Sequence, residues 1–163
     1  MLRETFEDLL REILAACQEH YGERLVSLAV FGSVARQTQR PDSDIDLLLV
    51  IDGLPDGRLA RMREFDAVEK ALEPRLTEAV AAGVHTRLSP IVKTPAELEV
   101  GSPLLLDMVE DARILVDRDT TLQRRLDRLR ERLVALKARR IRKGGGYYWQ
   151  LKPDFKPGDE IYL

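Results

Sequence analysis

Asp44 and Asp46 stand two residues apart at the start of an apolar run, with ten residues between them and the pair Gly32-Ser33. On a strand, residues two apart point to the same face. Two carboxylates side by side repel and tend to take up a proton, a conflict that a divalent cation removes. Oxygen ligands without cysteine or histidine suit magnesium or manganese. A metal held there bridges the phosphates of a nucleoside triphosphate and neutralises charge during phosphoryl or nucleotidyl transfer. Gly32 permits a sharp turn and close approach of a ligand. Ser33 adds a hydroxyl, and a helix start adds unpaired N–H groups, so the two form a phosphate cradle. Arg36, one turn further, reaches the same anion. Arg40 steadies charge, and Ser43 joins the set from the loop before Asp44.

These residues must be positioned by strands on both sides. Leu25 to Phe31 is a short apolar run that reads as a buried strand, and Ile45 to Ile51 reads as a second. Ile45, Leu47, Leu49 and Ile51 share one side of it, against helices, which leaves both aspartates on the other. Phe6, Leu9, Leu10, Ile13, Leu14 and Cys17 recur at helical spacing, so residues 3–21 form an amphipathic helix. A helix over residues 58–82 is expected to split at Pro74. Val84 to Val92 reads as a third strand and Ala112 to Val116 as a fourth. A last helix, capped by Asp119 or Thr120, runs on to Lys143 with a leucine seam from Leu122 to Leu136. Gly144-Gly145-Gly146 ends it, and an aromatic, proline-bearing tail follows, read as folding back onto the core. The reading is an α/β fold with a small mixed sheet and helices packed on one face. Residues 1–143 form the domain and residues 144–163 the tail.

Composition narrows the classes. Apolar residues make up 44% of the 163 and charged residues 33%, which excludes a disordered chain. No run is long enough to span a membrane, and the start lacks a signal-peptide core, so a cytoplasmic location is expected. Cys17 is the one cysteine, which excludes an internal disulfide. From Arg118 to Lys143, eleven Arg and Lys face three acids, leaving about −10 for the rest of a chain of net −2. Such segregation marks either a solvated helix back or a surface for an anionic partner, RNA included.

The segments Phe31-Gly32-Ser33-Val34-Ala35-Arg36 and Ser43-Asp44-Ile45-Asp46-Leu47 together resemble the signature of the minimal nucleotidyltransferases of the DNA polymerase beta superfamily. The resemblance implies the nucleotidyltransferase fold and magnesium on Asp44 and Asp46. It implies a triphosphate at Gly32-Ser33, with ATP the expected donor, and transfer of a nucleoside monophosphate to an acceptor. Stand-alone members often pair with a HEPN-domain protein as antitoxin to toxin, and some adenylylate that partner. Active members usually carry a third carboxylate on a later strand. Here the expected strand has none, and His85, Arg87 and Ser89 share its open face instead. His85 can act as a base near neutral pH. Glu78, Glu97 or Glu99 can supply the acid from elsewhere. The missing carboxylate also admits another class, a binding module that neutralises a partner by contact.

Overall fold

A computed structural model describes residues 1–163. In chain order its elements are α1 (Leu2–Tyr21), β1 (Leu25–Phe31), α2 (Gly32–Arg36), β2 (Ile45–Ile51), α3 (Arg58–Ala81) and β3 (Leu88–Lys93). There follow α4 (Pro95–Val100), α5 (Leu105–Met108), β4 (Arg113–Asp117), α6 (Thr121–Ala135), β5 (Arg139–Lys143) and β6 (Gly146–Gln150). The first four strands form a mixed sheet in the order β3-β2-β1-β4, and β5 and β6 form a separate hairpin. β1 and β2 are antiparallel, with Phe31 opposite Asp46. β3 runs parallel to β2 and sets Ser89 beside Asp46. β4 lies antiparallel on the far side of β1. No helix is long and apolar enough to cross a membrane.

β1 has no polar alternation because both of its faces are covered. Leu28 and Val30, with Ile45, Leu47, Leu49 and Ile51 of β2, meet the apolar stripes of α1 and α3 in one cluster. Val26, Ala29 and Phe31, with Leu48 and Val50, meet α4, α5 and the leucines of α6 in a second. The expectation of helices on one face therefore needs correction. The second face is covered too, and it opens at the end of β2 that carries Asp46, which is half-buried where Leu48 and Val50 are buried. Cys17 lies in the first cluster, and burial pushes its thiol up to about 12, which makes it inert packing.

Four local expectations are also corrected. α3 is continuous through Pro74. Pro74 faces solvent, where the carbonyl it leaves unpaired can take water, while Phe65, Val68 and Leu72 anchor the helix. Pro74→Ala is expected to stabilise the fold by about 1–3 kcal/mol, read as a higher urea midpoint. β3 begins at Leu88 rather than Val84. The residues before it are hooked onto the loop leading to Asp44, with the His85 N–H donating to Pro41 O and the Thr86 hydroxyl to Ser43 O. The cap of α6 is Asp117, whose carboxylate accepts from the N–H groups of Leu122 and Gln123 at 2.9 Å each. Asp119 and Thr120, expected to cap it, instead turn the chain in the left-handed region. Finally, α6 stops at Ala135, where Lys137 adopts φ +57°. The basic run Arg139–Lys143 is a strand, paired from Arg139↔Gln150 to Lys143↔Gly146. The tail does fold back, as expected, and Trp149, Leu151 and Leu163 pack on the second cluster.

Candidate active site

The end of β1 and the start of β2 build the site. After Phe31 the backbone takes φ +70° at Gly32, a left-handed value that glycine adopts without strain. A Cβ added there would lie 2.2 Å from Asp46 Oδ2. The glycine thus leaves room for a carboxylate, and the chain then turns straight into α2. α2 has only five residues, so it offers N–H groups rather than a macrodipole.

Asp46 is half-buried and Asp44, one step nearer the loop, is exposed. Burial holds the Asp46 carboxyl above its ordinary value, and the neighbouring Asp44 charge raises it further. The Ser89 hydroxyl and Arg36 pull it back down, and Asp107 pushes it up again. A half-buried carboxylate under like-charge pressure, in a pocket that a single methyl would close, fits a divalent cation. The donors present are Asp44 and Asp46, with no cluster of three acids, histidines or cysteines around them.

The other candidates divide. Arg36 faces the site but is tied to Asp111 at 3.5 Å. Ser89 lies beside Asp46, where the sequence leaves the third acid missing. Ser43 accepts from the Arg40 N–H at 2.8 Å, so it braces the loop. The Arg40 side chain pairs with Asp42 at 3.3 Å and is 78% exposed, directed to solvent. His85 and Arg87 are both exposed. What links them to the site is backbone, the Arg87 carbonyl accepting from the Ile45 N–H at 2.8 Å. Glu97 is bound by Arg61 on the outer side of β3, and Glu99 by Arg128. A cavity of about 570 Å³ lies by Arg61 and Lys93 and contains neither aspartate.

Sequence reasoning missed Asp107 and Asp111. Both precede β4, in and just after α5, and no motif marks them. They are brought in by α5 and by the C-terminal hairpin, whose Arg140 binds Asp111 Oδ2 at 2.8 Å. Tyr147 donates its hydroxyl to Asp107 Oδ1. The Tyr147 phenol is held above its ordinary value, first by burial and then by that bond.

The chain is similar to several known proteins. A family model described as nucleotidyltransferase domain matches residues 10–116. A Methanocaldococcus jannaschii protein, named as a candidate protein adenylyltransferase, is 31% identical over 133 residues, covering 80% of this chain and 84% of its own. Among solved structures, a toxin-antitoxin with AMP-PNP superposes with a TM-score of 0.46 and 17% identity, over 78% of this chain and 91% of its own. A tri-AMPylated Shewanella oneidensis HEPN toxin in complex with an MNT antitoxin gives 0.42 and 14%, over 83% and 91%. Superpositions this loose say nothing of activity or partner.

Proposed function

Because the chain belongs to the nucleotidyltransferase domain family, a membership shown by the match over residues 10–116, we propose that it transfers AMP from ATP to a protein side chain. The observation that carries this reading is the contact of Gly32 with Asp46, which sets a backbone turn against a carboxylate pair. The name of the M. jannaschii relative supports a protein acceptor.

Asp44 and Asp46 would hold magnesium or manganese, which when bound neutralises phosphate charge. The turn at Gly32-Ser33 receives the triphosphate, with N–H groups directed at its oxygens. Arg36, fixed by Asp111, adds a positive charge on the same side. Asp46 occupies the room that Gly32 leaves, with Ser89 beside it on the neighbouring strand. The resemblance in sequence makes a HEPN-domain protein the partner to try first, in an antitoxin role. Arg139, Arg142 and Lys143 lie exposed on the hairpin for an anionic partner surface.

The test is incubation of the chain with α-labelled ATP, magnesium and a lysate of its source cells, beside the Asp44→Ala/Asp46→Ala variant. Label on a protein band with the wild type alone is expected. If the double variant instead neutralises the partner fully, neutralisation works by contact and transfer is not its mechanism. Label on RNA would replace a protein acceptor with a nucleic acid.

A further inference from the structure

The C-terminal hairpin is tied to the helix that starts at Gly32 through Arg140, Asp111 and Arg36. In the β5–β6 register Arg140 faces Trp149 and Arg142 faces Tyr147, so these four share one face, on which Arg140, Tyr147 and Trp149 are half-buried and Arg142 is exposed. The Arg140 guanidinium stacks on the Tyr147 ring at 3.7 Å. It is gripped in turn by Glu110 and Asp111, at 2.8 Å each. Asp111 also holds Arg36, on the short helix that starts at Gly32. The Tyr147 hydroxyl donates to Asp107, and the charge of that same carboxylate reaches Asp46. A nucleophilic oxygen with a base already bonded to its proton thus sits on a hairpin that Arg140, Asp111 and Arg36 tie to the helix starting at Gly32. Trp149 packs on the second cluster and Arg140 pairs with Glu110 and Asp111, so the hairpin has ties besides the Tyr147 hydroxyl.

We propose that Tyr147 is a self-adenylylation site, its phenolic oxygen attacking the α-phosphorus of ATP bound at Gly32 and Asp46 of the same molecule. This rests on the nucleotidyl-transfer reading above and names an acceptor for it. The bond formed joins the tyrosine oxygen to the α-phosphorus. The bond broken joins that phosphorus to the oxygen bridging to the β-phosphate, and pyrophosphate leaves with the electron pair. The phenolic proton passes to Asp107, and nothing is oxidised or reduced. An AMP group on this oxygen removes the donor to Asp107, so the modified hairpin loses one of its ties to α5.

The experiment uses the purified full chain with α-labelled ATP and magnesium, followed by intact mass and peptide mapping. One AMP per chain on Tyr147 is expected, at a rate unchanged by diluting the protein. Tyr147→Phe should take no label, and Asp107→Asn should slow labelling on the order of 100-fold. Amide exchange across residues 146–150 should be faster in the modified chain. Circular dichroism checks that the variants fold, and mapping of the wild type decides the site if one does not. Label on Tyr148 or Tyr162, or a rate that rises with protein concentration, overturns the proposal. An unlabelled chain that still adenylylates a partner protein overturns it and leaves nucleotidyl transfer standing. Absence of label on both chain and partner overturns both.

Discussion

Replacing Asp46 by Asn is expected to abolish transfer while raising the melting temperature at neutral pH. The Asn keeps the shape that fits against Gly32, so nothing collides. It removes a charge that burial and Asp44 both disfavour. The sign follows from proton binding. A carboxylate whose folded pKa lies above its unfolded one holds its proton more tightly when folded. Its destabilising effect is fully present above the folded value and fades as pH falls toward the unfolded value of 3.8. The wild type should therefore melt below Asp46→Asn at pH 7, and the two should converge as pH drops through that window. Magnesium should close the gap from the other side, raising the wild-type melting temperature and leaving the variant unmoved, as binding to the folded state alone requires. Loss of activity should be at least about 100-fold, the scale of removing one electrostatic partner of a transition state. A variant less stable than the wild type at pH 7 would show that Asp46 serves the fold rather than the chemistry.

Gly32→Ala is expected to cost both stability and nucleotide binding. The left-handed φ alone penalises a side chain by about 1–2 kcal/mol. The new methyl also meets Asp46 Oδ2 at 2.2 Å, well inside contact distance, so either β2 or the carboxylate must move. Two causes of different origin can be separated by a double-mutant cycle. With Asp46→Ala as background the carboxylate is gone, and Gly32→Ala should then cost only the backbone part, about 1–2 kcal/mol. Urea unfolding of the four proteins measures the coupling. Equal costs in both backgrounds would mean that the glycine is there for the turn and not for the carboxylate.

The parts of the site that were legible in the sequence are local. Gly32 directly follows one strand, Asp44 directly precedes the next and Asp46 lies on it, and apolar runs announce both strands. The family resemblance carried by those segments is borne out by the match over residues 10–116. What was not legible depends on distant segments. Asp107 and Asp111 join the site because α5 packs on α6 and because β5 and β6 fold over both. The hairpin itself was hidden, since Arg139–Lys143 offers only Ile141 as an apolar residue and so shows no period. Gly144-Gly145 reads equally well as a helix stop or a strand turn. Thr86 and His85 were misread as strand residues because their bonds run to the loop before Asp44, a tertiary choice that no propensity carries.

The sheet order also bears on how the chain is made. β1 is one of the two interior strands, and its two edges are filled at very different times. β2 follows at once and closes one edge by residue 51, whereas β4 closes the other only from Arg113 onward. A chain emerging from the ribosome therefore has the partner for one edge of β1 at hand while the other edge waits for the length of residues 52–112. Open apolar edges invite pairing with other chains. The interval between the second and fourth strands is thus when nascent copies are most exposed to one another, and slower translation there lengthens the hazard.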